Sequence, residues 1–71
     1  MSRYDLLIET SDTDALHTAL TLFTNVHAAP ARDAGGFTEI TFDADDDALN
    51  AYLDHFGLAR DERDDVFTPV D

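Results

Sequence analysis

The sequence predicts an α+β domain in which a single antiparallel sheet is covered on one face by two helices. Two stretches, Tyr4–Thr10 and Phe37–Phe42, alternate between the two faces of a strand and are rich in β-branched, aromatic and aliphatic residues. Two others, after Ser11 and after Asp45, repeat apolar residues every three or four positions, as amphipathic helices do. At 71 residues, the chain 1–71 makes one small domain.

The first strand and the first helix are predicted from the N-terminal third of the chain. Tyr4, Leu6 and Ile8 share one strand face, which is expected to meet the core. Ser11 is expected to cap the helix and Asn25 to end it. The apolar stripe of this helix is predicted to be Ala15, Leu16, Ala19, Leu20 and Phe23, with Asp14, His17, Thr18 and Thr21 facing away.

A second strand is predicted at Val26–Ala29, and Pro30 limits it to a sheet edge or a strand end because proline has no N–H. Asp33–Gly36 is typical of a turn, since glycine tolerates positive φ. The third strand, Phe37–Phe42, places Thr38, Ile40 and Phe42 on one face. We therefore expect the second strand, a turn and the third strand in succession.

The second helix is predicted to begin at Asp43 or Asp45, with acidic residues at its positive dipole end. Its apolar stripe consists of Ala48, Leu49, Tyr52, Leu53 and Phe56. Gly57 fits the position just beyond the helix end, from which Leu58 can fold back onto Leu53 in a Schellman closure.

The remaining residues are predicted as a loop over Ala59–Asp65 and a short edge strand over Val66–Val70. This order of elements resembles the ferredoxin-like βαββαβ plan, with the first and third strands central. The resemblance is one of element order only and implies no function, because that fold hosts many unrelated activities. If the second or the last strand does not form, the alternative is a shorter βαββα or βαβα arrangement that is completed by dimerisation.

Charge is the strongest compositional signal. The chain has 16 acidic residues against four arginines and no lysine, which gives a formal net charge of −12. The acids are spread among apolar residues, so they are interpreted as the solvated surface of a folded domain and not as a disordered acidic tail. An excess of Asp without Lys resembles the proteomes of salt-in halophiles of the archaeal type. Dissolved counterions would then relieve the self-repulsion, because the Debye length falls to about 3 Å at 1 M salt.

Composition also argues against several functional classes. Without cysteine, the chain can form no disulfide, thiol nucleophile or cysteine-based zinc site. No apolar run approaches the roughly 20 residues of a membrane span, and the N-terminus lacks the features of a signal peptide. A cytoplasmic location is therefore expected. The four arginines are scattered, so nucleic-acid binding is not expected.

No metal, cofactor or catalytic site is predicted. The ligand candidates considered are His17, His27, His55, Asp43, Asp45 and Asp47. The histidines form no HxxH or HxxxH pair, and a calcium loop over the acids would need Gly and Glu where Ala48 and Asp54 stand. Ser11 has no nucleophile elbow around it, and Gly35-Gly36 has no phosphate-binding lysine nearby.

The sheet face opposite the helices is the predicted interaction surface. It carries Leu7 and Phe37, with Phe67 as a third apolar residue, together with Glu9 and Glu39. The leading interpretation is a noncatalytic protein-interaction or regulatory module that self-associates or binds a protein partner. The alternatives are a small-molecule sensor with its ligand at a dimer interface, and a small enzyme whose intersubunit site uses the two glutamates or the histidines.

Overall fold

The computed structural model describes residues 2–32 and 35–70, and they form the predicted α+β class. The elements in chain order are β1 (Ser2–Glu9), α1 (Thr13–Leu22), β2 (Thr24–Pro30), β3 (Phe37–Ala44), α2 (Asp46–His55), a 3₁₀ turn (Arg60–Glu62), α3 (Arg63–Val66) and β4 (Thr68–Pro69). In the predicted turn, Asp33 and Ala34 lie outside the described residues. Gly36, which immediately precedes β3, has a φ of +82°.

One four-stranded antiparallel sheet has the order β2-β3-β1-β4. The central pair of strands, β1 and β3, is in register from Ser2 opposite Ala44 to Glu9 opposite Phe37. The strand predicted over Val26–Ala29 forms as the edge strand β2, and it ends at Pro30. The other edge strand, β4, is only two residues long and pairs with the beginning of β1.

Helix α1 begins and ends at different residues from those predicted. Asp12, and not Ser11, is the N-cap: its side chain accepts a hydrogen bond from the Ala15 N–H at 3.1 Å. Ser11 lies in the turn that the Asp12 N–H closes by donating to the Glu9 carbonyl at 2.9 Å. The helix ends before Asn25, whose φ of +51° falls in β2 where the strand register is irregular.

The buried face of α1 is rotated relative to the prediction. Thr18, predicted to face away, is buried, and Leu20, predicted in the apolar stripe, is 54 % exposed. Ala15 and Ala19 lie at the core with Thr18 beside them. Because these three side chains are small, the helix can approach the sheet closely on this side, and Leu20 is carried to the solvent side.

Helix α2 follows the prediction at both ends. Asp45 is the N-cap and accepts a hydrogen bond from the Ala48 N–H at 2.9 Å. At the other end, the Gly57 N–H donates to the Asp54 carbonyl at 3.2 Å and the Leu58 N–H donates to the Leu53 carbonyl at 2.9 Å. These two bonds, with a Gly57 φ of +67°, form the predicted Schellman closure.

The predicted loop over Ala59–Asp65 is wrong, and the predicted last strand is shortened. The segment instead forms the 3₁₀ turn and α3. Its polar composition indicated a loop, but two of its arginines bind α2. Arg60 donates to Asp54 at 2.9 Å, and Arg63 donates to Asp46 at 2.7 Å. Arg63 also donates to the Tyr4 hydroxyl at 3.2 Å, which ties the segment to β1.

Phe67 lies in the core, so its predicted place on the exposed sheet face is wrong. Only 1 % of its surface is exposed. Phe23 and Phe42 stack with centroids 4.0 Å apart, and Phe67 meets both rings edge-on at 6.0 Å. Tyr52 contacts Phe67 from α2 with centroids 5.5 Å apart. Phe67, which lies between α3 and β4, therefore completes the aromatic core.

We predict that Phe67→Ala lowers the free energy of unfolding by about 3–5 kcal/mol, because it empties the centre of this cluster. Leu7→Ala, on the exposed sheet face, should change it by about 0.5 kcal/mol or less. Urea unfolding in molar KCl measures both. A loss for Phe67→Ala no larger than for Leu7→Ala would contradict the core assignment.

Burial raises the pKa of Tyr52 to about 12, and the carboxylates of Asp12 and Asp14 add to the rise. The folded protein thus favours the neutral phenol. This contribution to stability is complete below the unfolded pKa of about 10 and is lost as pH rises through the folded value. We expect the free energy of unfolding of the wild type to fall between about pH 10 and pH 12 more steeply than that of Tyr52→Phe. Parallel curves in urea unfolding would contradict this.

Candidate functional site

The face of the sheet that points away from the helices is the candidate site, and we call it the open face. Side chains alternate along each strand, and directly opposite residues of paired strands share a face. Since Leu6, Ile8, Ile40 and Phe42 are buried in the core, their neighbours in each strand lie on the other side. The open face includes Arg3, Asp5, Leu7, Glu9, Thr24, His27, Ala29, Phe37, Glu39, Thr41 and Asp43.

One half of the open face is held by hydrogen bonds among its own side chains and by one from Asn25, at the start of β2. Asp43 accepts from Asn25 at 2.8 Å and from Arg3 at 3.1 Å. These two bonds, with the Asn25 amide as the larger cause, hold the pKa of Asp43 below its ordinary value. Beside them, the Thr41 hydroxyl donates to Asp5 at 2.7 Å. Arg3, Asp5, Thr41 and Asp43 are therefore already paired within the chain.

The other half is a square of two carboxylates and two apolar side chains. Leu7 lies opposite Glu39, and Glu9 lies opposite Phe37. We call these four residues the Leu7–Phe37 patch. Leu7 is 49 % exposed and Phe37 is half-buried. No side-chain hydrogen bond or ion pair is found for Glu9 or Glu39 within residues 2–32 and 35–70. The patch thus offers apolar surface and unpaired negative charge together.

Hydrogen-bond direction in β1 brings the patch side chains close together. The Thr10 N–H donates to the Gly36 carbonyl at 2.8 Å, on the side of β3, whereas the Arg3 carbonyl accepts from the Val70 N–H at 2.8 Å, on the side of β4. Odd-numbered residues of β1 therefore direct their backbone groups away from β3. The pairs of Leu7 with Glu39 and of Glu9 with Phe37 are non-hydrogen-bonded pairs, in which Cα atoms approach to about 4.5 Å.

Of the three predicted interface residues, the structure brings two together on the open face. Leu7 and Phe37 lie there as the alternation of β1 and β3 predicted, and Phe67 does not. Glu9 and Glu39 lie diagonally across the patch, and both are exposed. They are thus placed on the exposed face, as predicted.

The structure brings two predicted surface histidines towards each other. His17 and His55 line a shallow depression of about 290 Å³ between α1 and α2. The His55 Nε2 lies 3.5 Å from Asp14 Oδ2, with both side chains largely exposed. No group of three potential ligands suited to a metal ion occurs among the described residues. Sequence spacing did not predict the contact between His55 and Asp14, because it depends on how α1 and α2 pack against each other.

Acidic residues coat the outside of the molecule. Within the described ranges, every Asp and Glu is exposed except Asp5 and Asp43, which are half-buried. Three arginine–aspartate pairs interrupt the negative surface: Arg3–Asp43, Arg60–Asp54 and Arg63–Asp46. Hydrogen bonding to Arg60 lowers the pKa of Asp54. The three pairs share no residue, so they form no network.

A second feature is a groove along β1 beside the open face. No sequence pattern predicted it. Its volume is about 450 Å³. It follows the four consecutive residues Leu6–Glu9, and its far wall includes Tyr52, Phe56, Leu58 and Val66. We call it the β1 edge groove. It exists because β4 is only two residues long. No sequence pattern predicted that length.

No family model, curated protein or solved structure matches this chain. Among the described residues, no helix is long and apolar enough to cross a membrane. Function therefore has to be inferred from the chemistry of the open face and its surroundings.

We predict that Asn25→Ala raises the pKa of Asp43 towards its ordinary value, because the larger of its two hydrogen bonds is removed. The stability that this carboxylate contributes is present above its unfolded pKa and is lost as pH falls through the folded one. Carboxyl NMR titration measures the shift, with Asn50→Ala on α2 as the control. Identical Asp43 titrations in both variants would contradict the assignment.

Proposed function

We propose that this chain is a noncatalytic protein-interaction module that self-associates through the Leu7–Phe37 patch. The observation that carries the proposal is the exposure of Leu7, at 49 %, in the middle of a central strand of the sheet. An apolar side chain at that position gains stability only when another surface covers it. A symmetric dimer covers the same patch on both copies with one interface.

Charge determines the conditions under which the patch can close. Glu9 and Glu39 lie beside the two apolar residues, so a second copy brings carboxylates towards carboxylates. At 1 M salt the Debye length is about 3 Å, and repulsion between exposed groups is then largely screened. Self-association should therefore strengthen as salt is added.

We also propose that the protein works in concentrated salt, as a cytoplasmic protein of a salt-in halophile of the archaeal type. A net charge of −12 on 71 residues supports this. The exposed positions of the acidic side chains in the described ranges support it as well. Carboxylates on the surface bind water and counterions without disturbing the core, and salt removes the repulsion between them.

A ferredoxin-like plan is part of the same proposal. The strand order puts β3 between β1 and β2, and β1 between β3 and β4, with antiparallel pairing at each step. The chain thus contains two βαβ units, each split by a strand of the other unit. This topology leaves one face of the sheet without helices, and that face carries the patch.

We predict that Leu7→Thr weakens self-association in 2 M KCl about a hundredfold, because each of the two copies loses about 1.4 kcal/mol of apolar burial. Leu20→Thr is the matched control, since Leu20 is similarly exposed but lies on α1, away from the open face. Sedimentation velocity over a concentration series measures both dissociation constants.

Two results would overturn the proposed self-association. One is a wild-type protein that stays strictly monomeric in 2 M KCl at millimolar concentration. The other is a dimer that Leu20→Thr weakens and Leu7→Thr does not, which would place the interface on the helical layer.

A further inference from the structure

The edge of β1 is uncovered beyond Thr68, which is the first residue of β4 and lies opposite Asp5. In the described chain, β4 pairs with β1 only at Tyr4 and Asp5, although β1 continues to Glu9. Odd-numbered residues direct their N–H and C=O groups to this edge, as the Arg3–Val70 bond shows. The N–H and C=O of Leu7 therefore face a position with no strand beside it. At Glu9 the carbonyl is already used, since it accepts from the Asp12 N–H at 2.9 Å.

The β1 edge groove lies alongside these free backbone groups. Phe56, Leu58 and Val66 are half-buried and give it an apolar wall on the helical side of the sheet. A strand added to the edge would turn alternate side chains to the two faces of the sheet. Every second side chain would then enter the groove, and the others would lie on the side of the open face.

The charges around the groove select a cationic occupant. Glu9 and Asp12 are exposed and line it, and no arginine lies among its lining residues. Asp64 and Asp65 directly precede Val66 in the chain. A Lys or Arg side chain in contact with Glu9 or Asp12 would lie within about 3 Å of the carboxylate, where dissolved salt screens the attraction least. A second copy of this chain would bring its own acidic residues to the same place, so a different and basic partner fits better.

We propose that the β1 edge groove binds a short extended segment of another protein by strand addition. In that segment an apolar side chain enters the groove, and Lys or Arg residues alternate with it. Backbone hydrogen bonds to Leu7 provide the docking, the groove selects the apolar residue, and the acidic rim selects the basic ones. The stretch Leu6–Glu9 sets the length at about four residues. This interaction uses the strand edge, whereas the proposed self-association uses the open face.

The test uses the synthetic peptide acetyl-Arg-Val-Arg-Val-Arg-amide and the ¹⁵N-labelled full chain, at the lowest KCl concentration at which the chain remains folded. We expect saturable shifts of the Leu7 and Glu9 amide signals and at least tenfold slower hydrogen exchange at the Leu7 amide. The matched peptide with Glu in place of each Arg should leave both signals unchanged. Shifts confined to the backbone amides of β2 and β3, or none at all, would overturn the proposal.

Two substitutions at one position separate docking by the backbone from packing by the side chain. Leu7→Pro removes the N–H that faces the empty edge, and Leu7→Thr keeps it while removing the same apolar side chain. We expect Leu7→Pro to lose peptide binding at least tenfold relative to Leu7→Thr. Equal binding by the two variants would contradict strand addition. Circular dichroism establishes that each variant is folded.

Val66→Arg tests the groove without altering β1, in case Leu7→Pro does not fold. A cation on the groove wall should repel the basic peptide and weaken its binding at least tenfold; unchanged binding would contradict the assignment. Leu7→Thr also separates the two proposals, since it should weaken self-association and retain peptide binding. Protection of the Leu7 amide that rises with protein concentration in the absence of peptide would mean that a second copy occupies the edge, and this would overturn the proposed partner.

Discussion

Repulsion among carboxylates is the constraint on which this structure depends. Sixteen acidic residues and four arginines must share the surface of a chain too short to bury charge. The described acidic residues accordingly lie outside the core, and the half-buried Asp43 is compensated by hydrogen bonds from Asn25 and Arg3. Exposed ion pairs contribute little each, so the three arginine pairs do not offset a charge of −12. Under the proposed adaptation to concentrated salt, screening by dissolved ions is the main relief.

The same constraint explains how the core is built. With so many positions given to acidic residues, a small set of aromatic side chains provides much of the buried volume. Phe67 is brought to that set from near the C-terminus by a segment whose arginines bind α2. Because α3 ends at Val66 and Phe67 turns inward to the core, the chain reaches the edge of β1 only from Thr68 onward, opposite Asp5. The uncovered strand edge is thus a consequence of how the core is completed.

Local patterns predicted the elements whose causes are local. The alternation of β1 and β3 placed Leu7 and Phe37 on the open face, and Gly57 predicted the end of α2 because a positive φ is required there. Local patterns did not predict the features that tertiary packing decides. The exposure of Leu20 depends on how α1 rests on the sheet, and the burial of Phe67 depends on contacts with distant parts of the chain. The β1 edge groove could not be predicted, since it follows from the length of β4.

Far-UV circular dichroism of the chain at neutral pH, as KCl is raised from millimolar to molar concentrations, tests whether carboxylate repulsion limits folding. If carboxylate repulsion limits compaction, the protein should be largely unfolded at millimolar KCl. It should then fold cooperatively as the Debye length falls from about 30 Å at 0.01 M to about 3 Å at 1 M. A full helix and sheet signal at millimolar KCl, unchanged on adding salt, would contradict the account.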